Sequence, residues 1–126
     1  MNYYRIFDLF VYQKARFAQK EALLIRQGKQ WKAFSTEQCL HWIDRLSAAF
    51  LQSSVKRGDA IAIVSESGSP WWNFVDMAAQ QVGLIPVPIH AASSIEDIRF
   101  ILDDAPIRIV FCHTKKLYEK VMLAQS

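Results

Sequence analysis

His90 and His113 are the side chains of this chain best suited to acid–base chemistry, because histidine is the usual proton carrier near neutral pH. Each follows directly after an apolar run, residues 84–89 and residues 107–112. A catalytic triad or a metal site needs Asp, Glu, Cys or Ser partners at a characteristic spacing, and none stands at such a spacing. We therefore interpret both as loop histidines and assign no catalytic, cofactor-binding or metal residue from the sequence.

Residues 65–69 offer a second type of chemistry, which is anion binding. This segment follows the apolar run 60–64 and leads into a predicted helix, whose N-terminus favours negative charge. It has one glycine, no lysine, and Glu66 to repel a phosphate. It therefore matches neither a Walker loop nor a dinucleotide fingerprint, and we interpret it as an ordinary capped turn.

Two other pairs of residues carry reactive groups. Asp103 and Asp104 are adjacent, so their side chains point in different directions at a helix end and are expected to face water. Cys39 and Cys112 are far apart and show neither metal nor redox spacing. We interpret the cysteines as buried thiols in a reducing cytoplasm.

The elements that position these groups follow from three apolar runs separated by two helical segments. Such a pattern predicts a parallel βαβαβ sheet whose strands are buried on both faces, with helices covering both sides of the sheet. The strands are residues 60–64, 84–89 and 107–112. Ligands bind at the carboxyl ends of parallel strands. The segments at those ends are residues 65–69, 90–94 and 113–114.

Capping patterns and glycines predict the remaining elements. Ser35 with Gln38 forms a capping box, and Ser93 with Glu96 repeats it. A glycine between two short apolar runs predicts a β-hairpin around Gly28. Ser69–Pro70 and Thr114 are predicted to begin two further helices. Gly83 is predicted to end the helix that starts at Pro70, in a left-handed conformation. Pro86 and Pro88 place the second strand near an edge of the sheet, because proline cannot donate a ladder hydrogen bond.

An amphipathic helix is expected over residues 4–19, with Phe7, Phe10 and Phe17 on its apolar face. The first 32 residues hold seven basic and two acidic side chains. A basic helix of this kind lies in a membrane interface or docks on the core. We favour docking, because the basic residues are scattered around the helix.

The composition limits the class of protein. With 126 residues the chain forms a single domain over 1–126. A net charge of +3 is too small to indicate nucleic-acid binding. We find no secretory signal and no apolar stretch long enough to span a membrane, so we expect a cytoplasmic location.

The order and spacing of the short motifs around the strands are similar to those at the start of the AMP-forming acyl-CoA synthetases and other adenylate-forming enzymes. Residues 54–59 lead into the first strand, Trp71–Trp72 opens the next helix, residues 82–88 lead into and cover the second strand, and residues 101–104 precede the third. The stretch 65–71 and His90 depart from the family's usual pattern. The resemblance covers nearly the whole chain.

The resemblance implies the N-terminal subdomain of the adenylate-forming ligase fold. Such enzymes use ATP and Mg²⁺ to convert a carboxylic acid to an acyl-adenylate, and usually pass the acyl group to coenzyme A. We expect a fatty or other hydrophobic acid, with coenzyme A or a carrier protein as acceptor. The family's Ser/Thr/Gly-rich loop ending in Pro-Lys has no counterpart here, so no catalytic residue can be assigned.

Several expectations about the isolated chain follow from this resemblance. The chain looks like the first quarter or fifth of such an enzyme, binds no cofactor itself, and is inactive alone. Its partner is the remainder of the enzyme, and uncovered apolar surface favours self-association. The alternative is a non-enzymatic interaction module that binds a partner or a membrane through a helix over residues 3–20.

Overall fold

A computed structural model describes residues 5–66 and 68–126 of the chain. Within them, the helices and strands follow one another in the order that the sequence predicts. The helices are α1 (Asp8–Phe17), α2 (Thr36–Gln52), α3 (Pro70–Gln81), α4 (Ile95–Asp104) and α5 (Lys115–Gln125). The strands are β1 (Leu23–Gln27), β2 (Gln30–Phe34), β3 (Ala60–Ser65), β4 (Ile85–His90) and β5 (Ile107–Cys112).

The three apolar runs form a parallel sheet with the strand order β4-β3-β5. Val64 lies opposite Ile89 on one side and Cys112 on the other, so the three carboxyl ends meet at one edge. Every residue of β3 is buried, whereas β4 and β5 are partly exposed. The expectation of complete burial therefore holds for the central strand alone, because β4 and β5 are the outer strands among the described residues.

Helices cover both faces of the sheet, as the apolar runs predict. On one face Ile61 and Ile63 pack with Ile43 of α2 and Phe74 of α3. On the other face Ala62 and Val64 pack with α4 and α5, where Ile98 is fully buried. Successive side chains of β3 point to opposite faces of the sheet, so this one strand contributes to both apolar clusters.

The predicted hairpin pairs β1 with β2 in antiparallel register, with Arg26 opposite Trp31. Gly28 takes a φ of +62° in the turn, a conformation that glycine adopts readily. The buried Thr36 fixes the connection between helix and hairpin. Its hydroxyl donates to Gln13 Oε1 (2.6 Å) and accepts from the Gln19 backbone N–H (2.9 Å).

Helix α1 is shorter than the predicted span 4–19. It ends at Phe17, since Ala18 is extended and leads the chain toward Thr36. Tyr3 and Tyr4, where the predicted helices begin, lie outside the described residues. Docking is confirmed for Phe10, which packs on the core, but Phe17 is 51% exposed.

The sequence predicts caps for four helices, and the structure confirms those of α2, α3 and α5. Ser35 and Gln38 form the predicted capping box, and the Thr114 hydroxyl accepts from the Leu117 N–H. The cap of α4 is Ser94 rather than Ser93, because the Ser93 N–H donates to the His90 carbonyl and is part of the preceding turn. The capping box predicted at Ser93 is therefore wrong by one residue.

No helix in the described part of the chain is both long and apolar enough to cross a bilayer.

Candidate functional site at the carboxyl ends of the strands

The ends of β3 and β4 enclose an open groove of about 480 Å³, which we call the sheet-end groove. The loop after β3, the first turn of α3 and the end of β4 form its walls. Its lining residues are Ser65, Glu66, Gly68, Ser69, Trp72, Asn73, Pro88, Ile89 and His90. Two of the segments predicted to face a ligand, 65–69 and 90–94, therefore lie together; Ser67 itself is outside the described residues.

His90 holds the turn that follows β4. Its ring Nδ1 accepts a hydrogen bond from the Ala92 backbone N–H at 3.0 Å. The Lys120 ammonium of α5 donates to the Ala91 carbonyl at 3.1 Å and ties the same turn to the helix. These bonds support the interpretation of His90 as a structural loop histidine, since Nδ1 is already in use as an acceptor.

His113 joins the end of β5 to the start of α3. Its Nε2 lies 3.5 Å from the Ser69 hydroxyl, and that hydroxyl also accepts from the Trp71 N–H at 3.3 Å. The Nδ1 atom of His113 is buried and has no hydrogen-bond partner among the described residues. Ser69 is therefore a helix cap, and no carboxylate orients the imidazole as a catalytic triad requires.

The groove is poorly suited to a polyphosphate. Glu66 contributes a carboxylate to the lining, and neither a lysine nor an arginine is part of it. Across residues 5–66 and 68–126, no set of three or more His, Cys, Asp or Glu side chains is placed to hold a metal ion. The residues present do not fit ATP with Mg²⁺, and we derive no chemical step through either.

The β-hairpin contributes a second groove, which the sequence did not indicate. We call it the hairpin groove; it holds about 410 Å³ and shares Glu66, Gly68 and Ser69 with the first. Trp31 lines it and is 65% exposed, with Arg26 beside it and His113 on the sheet side. Local patterns predict the hairpin itself, but its position against the sheet depends on contacts distant in sequence.

The remaining candidate groups lie away from both grooves. Burial of Cys39 raises the pKa of its thiol to about 11, so this cysteine is a poor nucleophile. Cys112 is only half-buried, and burial raises its pKa as well. Asp103 and Asp104 are exposed at the end of α4, as expected for carboxylates that face water.

The comparison that decides the family is a match over almost the entire chain. The family model described as AMP-binding enzyme matches residues 10–126. The chain belongs to the AMP-binding enzyme family. The similarity to adenylate-forming enzymes predicted from the motifs is thereby confirmed.

Relatives within this family are longer proteins. Fatty acyl-CoA synthetase A of Dictyostelium discoideum is 29% identical over 79% of this chain, which spans 15% of that relative. The long-chain-fatty-acid–CoA ligase FadD15 of Mycobacterium bovis is 27% identical over 67% of the chain, or 14% of its own length. The chain thus spans about one seventh of the curated relatives it matches.

A solved structure confirms the fold. The anthranilate CoA ligase AuaEII, determined in complex with anthranoyl-AMP, superposes with a TM-score of 0.79 at 19% identity. The match covers 97% of this chain and 23% of the ligase. The chain therefore has the fold of part of an adenylate-forming ligase.

Proposed function

We propose that this chain is the N-terminal part of an ATP-dependent, AMP-forming acyl-CoA ligase that activates a fatty or other hydrophobic carboxylic acid through an acyl-adenylate. The observation that carries the proposal is the family match over residues 10–126. The relatives named above, a fatty acyl-CoA synthetase and a long-chain-fatty-acid–CoA ligase, support this acid class. We further propose a cytoplasmic location.

The chain alone is inactive in this proposal. Adenylation develops negative charge on the triphosphate, which requires preorganised donors or metal ions. The lining of the sheet-end groove includes Glu66 and neither a lysine nor an arginine, so it offers no such stabilisation. ATP, Mg²⁺ and coenzyme A would therefore be bound by the remainder of the enzyme.

A second candidate function is a non-enzymatic module that contacts a partner or a membrane through the N-terminal helix. The supporting observation is that Ile6, Leu9, Val11 and Phe17 are each about half exposed. These side chains do not form one continuous stripe, since residues 9 and 11 lie on well-separated sides of a helix. We therefore rank this function below the first.

The experiment is to read the frame beyond the codon for Ser126, express the protein it encodes and supply it with ATP, Mg²⁺ and a panel of carboxylic acids. Formation of acyl-CoA from coenzyme A, or loading of a carrier protein, identifies the acceptor. Acid-dependent release of pyrophosphate with fatty acids supports the proposal. Absence of pyrophosphate release with every acid, from a folded protein, would reject it.

A further inference from the structure

Two large apolar side chains are exposed on the outer side of the layer that α4 and α5 form. Phe100 is 69% exposed and Leu123 is 57% exposed. Phe100 lies two residues after the fully buried Ile98, and a helix turns by about 200° over two residues, so the ring points away from the sheet. Leu123 stands in the same relation to the buried Val121. Both side chains therefore project from the same side of the molecule.

A hydrogen bond between the two helices places these side chains level with each other. The Arg99 Nε donates to the Ala124 carbonyl at 3.0 Å, so the middle of α4 lies beside the end of α5. Phe100 and Leu123 are the sequence neighbours of these two residues and lie on either side of the seam between the helices. We call the exposed surface of α4 and α5 around this pair the α4/α5 outer face.

Carboxylates surround Phe100 on α4. Positions three and four residues away are the neighbours of a residue on a helix surface. All four such positions around Phe100 are acidic and exposed, and they are Glu96, Asp97, Asp103 and Asp104. An apolar side chain within a charged rim has the anatomy of a small protein interface, and an acidic rim is complementary to a basic surface.

Helix α5 supplies such a basic surface on the same outer face. It carries three lysines and one glutamate, and Lys115 and Lys116 are exposed. Although α4 and α5 pack side by side, no ion pair joins their side chains within residues 5–66 and 68–126. The charges of both helices therefore remain free to contact a second molecule.

The placement of these charges is unfavourable for the helices that carry them. A helix N-terminus favours negative charge and a C-terminus favours positive charge. Asp103 and Asp104 end α4, whereas Lys115 and Lys116 begin α5, so each pair has the wrong sign for its position. Neither pair stabilises its own helix, and a contact between molecules gives both pairs a role.

We propose that the α4/α5 outer face binds the same face of a second copy of this chain, with the acidic α4 of each copy against the basic α5 of the other. A two-fold arrangement forms each contact twice, so a face with both signs of charge is complementary to itself. Helices of 10 and 11 residues are only about 15 Å long, so the contact is small and the dimer is weak. This inference does not depend on the ligase assignment.

Sedimentation velocity of the 126-residue chain, between about 10 μM and 1 mM, tests the proposal because it covers the range of weak dimers. The sedimentation coefficient rises with concentration as the dimer forms. High salt returns the chain toward the monomer, since it screens attraction between exposed charges.

Charge reversal tests which helices meet. Asp103→Lys/Asp104→Lys makes the whole face basic, and Lys115→Glu/Lys116→Glu makes it acidic. Each variant alone stays monomeric because like charges then face each other, whereas an equimolar mixture forms a heterodimer. Both variants remain folded, since each reversal gives the helix end the charge that its dipole favours. Circular dichroism checks the folding.

A serine substitution tests the apolar centre of the face. Phe100→Ser weakens self-association at least about tenfold, as expected for an aromatic residue at the centre of a contact. Leu51→Ser is the matched control, because Leu51 is 72% exposed on α2, away from this face, and its loss leaves the dimer unchanged.

Three results would overturn the proposal. The first is a chain that stays monomeric over the whole concentration range. The second is a dimer that both charge-reversed variants still form alone, or a mixture of them that fails to associate. The third is equal weakening by Phe100→Ser and Leu51→Ser, which would place the contact on apolar surface in general and not on the α4/α5 outer face.

Discussion

The Nε2 atom of His113 lies 3.5 Å from the Oγ atom of Ser69 and connects the end of β5 with the first turn of α3. Ser69 is almost completely buried, at 4% exposure, and its hydroxyl also caps α3. One side chain thus serves both the helix terminus and the contact between two strand-end loops. The contacts of His90, His113 and Ser69 at this edge position loops and cap a helix, and they do not form a catalytic triad.

Substitution of Ser69 by alanine should weaken α3 at its N-terminus. The lost cap costs about 1 kcal/mol in the free energy of unfolding. For a chain of this size we expect the melting temperature to fall by about 4 °C. Thermal unfolding followed by circular dichroism provides the measurement. Ser69→Thr is the control, because it retains a neutral capping hydroxyl; an equal loss in both variants would contradict the capping role.

Cys39 should make stability depend on pH in the alkaline range. Burial raises the pKa of its thiol from 9.0 to about 11, so the unfolded state releases the proton at a lower pH than the folded state does. The contribution is fully present below about pH 9 and is lost as the pH rises from 9 to 11. Urea unfolding between pH 8 and pH 11 measures this loss.

The matched comparison for Cys39 uses two variants. Cys112→Ala removes the half-buried thiol and should retain the alkaline loss of stability. Adding Cys39→Ala should make the dependence on pH shallower. If both variants lose stability equally between pH 9 and 11, the buried thiol does not cause the effect.

Gly83 should be the glycine least tolerant of substitution among those in turns. Its φ is +77°, and an added Cβ would lie 2.8 Å from the Cγ atom of Arg57. Gly28 has a φ of +62° but open space around it. Both alanine variants incur about 1–2 kcal/mol of backbone strain, and only Gly83→Ala adds the steric contact.

Chemical denaturation of a double mutant separates the two contributions at Gly83. Truncation of the arginine in Gly83→Ala/Arg57→Ala relieves the contact and leaves the backbone strain. We expect this double variant to regain part of the stability lost in Gly83→Ala, relative to Arg57→Ala alone. Strict additivity of the two substitutions would show that the contact is unimportant.

The parts of the fold that the sequence predicts depend on short-range rules. The capping box of Ser35 and Gln38 and the turn at Gly28 involve residues close in sequence, and both predictions are confirmed. The sequence pattern predicts the cap of α4 one residue early, because serine at 93 and at 94 is equally suited to capping and the Ser93 N–H is used in the turn with the His90 carbonyl. Local sequence patterns do not show which of Ser93 and Ser94 becomes the N-cap of α4.

The features of the site that the sequence does not predict depend on packing between segments distant in sequence. The strand ends after β3 and β4 meet as the parallel pattern predicts, and they form the sheet-end groove. The position of Trp31 over the same edge was not predicted, because it depends on how the hairpin packs against the sheet. The sequence also does not predict the partial exposure of α1, because phenylalanines at helical spacing are typical of a buried apolar face.

The most direct test of the ligase assignment is pyrophosphate release from ATP, measured for the 126-residue chain and, where the reading frame continues past Ser126, in parallel for the longer protein. Reactions without acid provide the control. We predict release that depends on a fatty acid from the longer protein and none above the control from the chain alone. Acid-dependent release by the pure 126-residue chain, or none from a folded longer protein, would contradict the account.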